Sequence, residues 1–151
     1  MNTITHASAK DAETILELQR LAYQSEAQRY DSINIPPLKQ TIDELRSEFA
    51  YKTFLKIQVE SWLVGSVRGC LKGDTCHIGR LIVHPNYQRQ GLGTALLGEI
   101  ESCFEKAQRF ELFTGHKSEG NIRLYERLGY VIFKREEINH NLTLVFLEKY
   151  N

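Results

Sequence analysis

Apolar residues first recur at helix spacing near the N-terminus, where Ile15, Leu18, Leu21 and Ala22 fall on one face behind Ser8 and Asp11. A hydroxyl ahead of such a run accepts a hydrogen bond from a free helix N–H, and an acid in the first turn offsets the helix dipole, so a helix starting at Ala9 is predicted. The following segment carries Tyr23, Tyr30 and the pair Pro36-Pro37 and reads as a loop, with a second helix over 42–50. The pattern then switches to strands at 53–59 and 63–71, joined by a tight turn at 60–62, and Lys72-Gly73-Asp74 turns the chain into a third strand at 75–83. Leu92, Leu96, Ile100, Cys103 or Phe104 and Ala107 mark one face of a long helix opened by glycines. A strand at 109–114, a helix at 121–128 stopped by Gly129, and strands at 130–136 and 142–148 complete the chain. With a strand ahead of the first helix, this order predicts an α+β (mixed α/β) sheet with helices on both faces, as one domain over residues 1–151.

Composition adds exclusions. Lys plus Arg number 19 against 19 Asp plus Glu in 151 residues, so the chain lacks the basic excess of a nucleic-acid or anionic-membrane binder. Hydrophobic residues at 42% give enough material for a core. Cys70, Cys76 and Cys103 form no C-x-x-C pair, and no leader-like segment or long apolar run is present, so a soluble cytoplasmic protein is expected. No metal is expected, because Cys76 and His77 are adjacent in a strand and point to opposite faces. Cys103 is placed on the buried side of its helix.

The chemistry concentrates in Leu81-Ile82-Val83-His84-Pro85-Asn86-Tyr87-Gln88-Arg89-Gln90-Gly91-Leu92-Gly93-Thr94. A strand runs into a glycine loop that opens a helix, so backbone N–H groups and the positive helix end converge on one point. Gly91 and Gly93 let a diphosphate approach the backbone, Arg89 adds a charge-assisted contact, and residues 75–98 contain no Asp or Glu. The dinucleotide fingerprint G-x-G-x-x-G fails at Leu96. The P-loop pattern after Gly115 and Gly120 fails at Asn121 and Ile122.

Gln88-Arg89-Gln90-Gly91-Leu92-Gly93 resembles the [QR]-x-x-G-x-[GA] acetyl-coenzyme A loop of the GNAT superfamily of N-acetyltransferases. Leu124-Tyr125-Glu126-Arg127-Leu128-Gly129-Tyr130 is similar to that family's L-Y-x-x-x-G-[FY] helix end. The resemblance covers nearly the whole chain and implies a mostly antiparallel sheet of six to seven strands, splayed between strands four and five and flanked by about four helices. It implies acetyl-CoA as cosubstrate in that splay, with Leu81, Ile82 and Val83 along the pantetheine arm. Gln88, Arg89, Gln90, Gly91, Leu92, Gly93 and Thr94 would then lie around the diphosphate. It further implies direct acetyl transfer to an amine, with Tyr125 protonating the departing thiolate; a phenol with a pKa of about 10 keeps its proton at neutral pH. Taken alone, Tyr125 also reads as a core tyrosine.

Asn121, one turn earlier, is placed to hold the coenzyme or to start its helix, while Ser118 stands where the family commonly has Asn. His77 occupies the position of the glutamate base of some histone-type members. Strand alternation sets it on the face of Gly79, Leu81 and Val83, where an imidazole can act as a base. The alternative is a half-buried strand histidine bonded to a neighbour, with His116 as a second candidate base and His84 leading into the Pro85 turn. By the same resemblance the N-terminal helices and their loop wall the acceptor. Tyr23, Glu26, Tyr30 and Asp31, with Arg29 and Lys39 nearby, suit a cationic amine, first a small molecule and second a peptide. A catalytically inactive coenzyme A sensor is the rival function, and a homodimer is compatible. The neutral total hides unlike regions, since residues 11–48 hold eight acids against four bases.

Overall fold

The computed structural model describes residues 2–31 and 35–151, so part of the loop expected after the first helix lies outside the described residues. One seven-stranded sheet runs through it in the order β1-β2-β3-β4-β5-β7-β6. Its strands are β1 (Asn2–His6), β2 (Thr53–Val59), β3 (Trp62–Lys72), β4 (Thr75–Val83), β5 (Arg109–Gly115), β6 (Val131–Asn139) and β7 (Leu142–Tyr150). All neighbours are antiparallel except β4 and β5. Among the described residues five α-helices flank the sheet: α1 (Ala12–Arg29), α2 (Pro36–Lys39), α3 (Ile42–Glu48), α4 (Leu92–Ser102) and α5 (Glu119–Arg127).

The helices divide between the faces as the sequence predicts. Leu92, Leu96, Leu97 and Ile100 of α4 and Tyr125 of α5 join Leu55, Val67, Phe110, Val145 and Leu147 of the strands in one core. Ala12, Ile15 and Leu16 of α1, with Leu45 of α3, close on Phe54 from the other side. Glycines in β3 set how near α4 lies. A Cβ on Gly65 would stand 3.0 Å from Leu96 and 2.7 Å from Ile57, and one on Gly69 would stand 2.7 Å from Phe104.

Helix starts follow the expected chemistry. Ser8 and Asp11 form a capping box ahead of α1 through a 3₁₀ turn at Ala9–Asp11, and Thr41 with Glu44 does the same for α3. The end of α1 differs from expectation. The helix runs on through Arg29, so Tyr23 and Glu26 are helical residues, and α2 forms where a loop is predicted because Pro36 and Pro37 occupy its first turn, where no N–H is needed. α4 stops at Ser102, which leaves Cys103 exposed at the cap, contrary to its predicted burial, while Ala107 still packs into the core.

Candidate active site

β4 and β5 pair only at Thr75↔Arg109, Cys76↔Phe110 and His77↔Glu111. Beyond His77 the strands separate, which frees one edge of each. A bulge bends β4 at the same place. Ser66 pairs with Ile82 but Arg68 with Gly79, so one extra residue enters β4, and Arg80 takes a left-handed φ of 49°. The insertion reverses the face pattern. Cys76 and Ile78 lie in the core beneath α4, and Leu81 and Val83 pack against that same core. His77 therefore does not share a face with Leu81 and Val83, and the alternation read from the sequence is corrected: a uniform period of two cannot cross a bulge.

Past the bulge, His84 caps a 3₁₀ turn at Pro85–Tyr87 by accepting from the Asn86 N–H at 3.1 Å, and Gln88 donates to the Val83 carbonyl at 3.1 Å. Arg89 at φ 63° and Gly91 at φ 81° then bring the chain into α4. Left-handed residues alternating with ordinary ones turn successive N–H groups toward one side, where an anion fits. Gly91 is suited to this turn by its positive φ, and the position its Cβ would take is open, with nothing within 4 Å. The loop faces a cleft of about 590 Å³ lined by Leu81, Ile82, Val83, Gln88, Arg89, Gly91, Leu92, Gly93, Thr94 and Asn121, with Arg29 and Arg127 opposite. Gln90 is exposed in the loop and does not line it. Arg127 is a cation that the sequence motifs did not single out. Among the described residues neither it nor Arg89 enters an ion pair.

Tyr23, Glu26, Leu81 and Asn121 line both this cleft and a second cavity of about 300 Å³ set in the gap between β4 and β5. Tyr125 projects from α5 into the second cavity with 5% of its surface exposed. Burial, then the nearby Tyr23 and Glu26, pushes its phenol above the ordinary range. Tyr23 is shifted upward as well, by burial, with Arg80 and Arg68 opposing. The remaining wall is mostly apolar, with Ile78, Leu112, Phe113, Ile138, Leu142 and Leu144 facing Ile35 and Pro37.

A hydrogen-bond chain that the sequence did not reveal ties α1 to α5 above this cavity. The buried Ser118 hydroxyl donates to Glu26 Oε2 at 2.6 Å and lies 2.8 Å from the Tyr30 hydroxyl, which accepts the Lys117 N–H at 2.8 Å. Arg29 also pairs with Glu26, at 3.1 Å. Tyr30 rests on bare backbone, since a Cβ on Gly115 would come 2.1 Å from its hydroxyl oxygen. Asn121 donates to Thr114 Oγ1 at 3.3 Å. Of the residues expected to wall the acceptor, Tyr23, Glu26 and Tyr30 line the cavity, whereas Asp31 and Lys39 do not.

His77 lines a third, polar cavity toward α3, with Arg68, Glu48 and Lys52, and its Nδ1 lies 3.8 Å from Glu111. His116 accepts the Thr143 N–H at 2.9 Å, and its ring lies 5.7 Å from that of Tyr30, tilted by 54°. Behind the third cavity Arg68 is 2% exposed and reaches Glu48, Gln40 and Gln19, while Glu48 also accepts from Lys52 at 2.6 Å. The two partners respond differently to burial. It outweighs the pull of Glu48 and brings Arg68 down to about 10, whereas Lys52, Arg68 and Gln40 together overcome it at Glu48 and lower that carboxyl. Among the described residues no three His, Cys, Asp or Glu side chains gather as a metal site, and no helix is long and apolar enough to cross a membrane.

The acetyltransferase (GNAT) family matches residues 12–130. The N-terminal acetyltransferase B complex catalytic subunit NAA20 of Arabidopsis thaliana is 31% identical over 81 residues, covering 52% of this chain and 47% of that protein. The UPF0157 protein YqkA of Bacillus subtilis is 27% identical over 127 residues, covering 84% of this chain and 36% of that protein. The chain thus spans less than half the length of these curated relatives. The PaiA N-acetyltransferase of Thermoplasma acidophilum, solved in complex with coenzyme A, superposes with a TM-score of 0.81 at 20% identity, covering 100% of this chain and 99% of that one. Two motifs, a sheet parted between β4 and β5 and a family match over most of the length lead to one conclusion: the chain belongs to the acetyltransferase (GNAT) family.

Proposed function

We propose that this chain transfers the acetyl group of acetyl-CoA to a primary amine of a small molecule. The observation that carries the reading is the continuity of the donor cleft with the cavity holding Tyr125, through Tyr23, Leu81 and Asn121. The N–H groups of the Gln88–Thr94 loop, with Arg89 and Arg127, hold the diphosphate. The edge of β4 from Leu81 to Val83, which has no partner on β5, offers backbone donors and acceptors to the pantetheine arm. The fit is physical: an acid-free loop, open space at Gly91 and unpaired arginines all favour an anion at that end of the cleft.

In the reaction the amine nitrogen bonds to the thioester carbonyl carbon and the carbon–sulfur bond breaks. Tyr125 gives its proton to the departing thiolate and regains one from solvent. The proton lost by the amine passes to water. We place no base at His77, because its ring belongs to the polar cavity beside Glu111 and not to the cavity Tyr125 lines. A cavity of about 300 Å³ closed by α2 and the β6–β7 end suits a small acceptor. A peptide N-terminus is the second reading, favoured by the similarity to NAA20.

Thiol release from acetyl-CoA over a panel of small amines and short peptides tests the reading. Turnover with small amines supports it, turnover with peptides alone favours the second reading, and coenzyme binding without turnover on any amine identifies an inactive sensor.

A further inference from the structure

Among the described residues Arg80 is the one cation lining the acceptor cavity, where the Tyr23 phenol hydrogen-bonds to it but no carboxylate pairs with it. It projects from the β4 bulge, lines both the acceptor cavity and the polar cavity behind it, and is absent from the donor cleft. It is thus not placed to serve the coenzyme phosphates. Among the described residues it enters no ion pair, and its Nε is buried without a hydrogen-bond partner. Two other cations lining the polar cavity differ: Arg68 and Lys52 are both paired with Glu48. Among the described residues Glu26 is the one carboxylate lining the acceptor cavity, and Ser118 and Arg29 already engage it. The positive φ at Arg80 is itself a strained state for a long side chain, of the kind held where the surrounding structure imposes it.

Arg80 is half-buried at the cavity wall, and a guanidinium fork without a carboxylate partner is matched there by a planar oxyanion brought in by the ligand. From this we infer that the acceptor is an amino acid-like molecule, with the reacting amine, an apolar or aromatic body and a carboxylate that pairs with Arg80. The apolar body packs between Ile78, Leu112 and Phe113 on the strands and Leu142 and Leu144 on β7. An amine carrying a second positive charge, such as spermidine, would meet the positive charge of Arg80 instead. This inference rests on the acetyltransfer reading and narrows its substrate.

The test compares matched acceptors on the full chain: phenylalanine against phenylalaninamide, leucine against leucinamide, and spermidine as the cationic control, all read by thiol release after calorimetry with acetyl-CoA. The acids are expected to have KM values at least about tenfold below those of their amides, the effect of a charge-assisted bidentate contact at the cavity wall. Arg80→Asn keeps a residue tolerant of left-handed φ and removes the charge, so it should collapse the acid-over-amide ratio toward about one. Arg80→Lys should retain part of it. Equal or better use of the amides or spermidine overturns the inference while acetyl transfer stands. An acid preference that survives in Arg80→Asn overturns the role of Arg80. Absence of both acetyl-CoA binding and turnover removes the underlying reading as well.

Discussion

Burial of Tyr125 fixes the pH range over which it can donate a proton. A group that works in its protonated form gains range when its pKa rises, so Tyr125 should cause no fall in kcat until well above the ordinary phenol value of about 10. Tyr125→Phe should reduce kcat by about 100-fold or more and change acetyl-CoA affinity little, as expected for a lost general acid. Steady-state thiol release and calorimetry check both statements. A Tyr125-dependent fall in kcat near pH 8 would contradict the raised pKa, and an untouched rate in the variant would assign the proton to solvent. Tyr125 and the loop residues were readable because each lies in a contiguous motif. Ser118, Glu26 and Tyr30 were not recognised as a unit, since their hydrogen bonds join α1 to the start of α5 across most of the chain. Burial pushes the thiol of the fully buried Cys76 up to about 12, which keeps it protonated at neutral pH.

Elements were legible wherever local periodicity decides them. The limits of β2 and β4 and the turn at Gly129 emerge as predicted, because alternation and a left-handed stop are local properties. Helix α1 outran its prediction because the apolar stripe ends before the helix does, and its C-terminal half is held by Glu26 and Tyr30 bonding to α5. The β4 bulge left no local signal, being set by pairing with β3, and it moved His77 to the other face. Two substitutions test these elements. Gly91→Ala should cost about 1 kcal/mol through its left-handed φ yet keep coenzyme binding, whereas Gly91→Glu should also weaken acetyl-CoA at least about tenfold. Gly115→Ala should destabilise by about 1–3 kcal/mol in chemical denaturation, because its Cβ would displace Tyr30 from Ser118. An unchanged midpoint would mean Tyr30 does not bridge the helices.

The whole molecule divides its charge by function. Its neutral total combines an acid-free loop facing the donor cleft, an acidic N-terminal region and a buried network in which Glu48 answers Arg68 and Lys52. Glu48 has a lowered folded-state pKa, so its contribution to stability is present above the unfolded value of 4.5 and is lost as pH falls through the folded one. Glu48→Gln should therefore flatten the acid side of the stability curve and cost about 3 kcal/mol at neutral pH by leaving Arg68 buried and unpaired. Denaturant melts from pH 3 to pH 7 check the sign. The central claim is that acetyl-CoA occupies the cleft where β4 and β5 part, with its diphosphate on the Gln88–Thr94 loop. Calorimetric titration of acetyl-CoA into the native and Gly91→Glu proteins tests it most directly. The account predicts saturable heat for the native chain and its loss in the folded variant; no binding to the native chain, or equal binding to both, would contradict it.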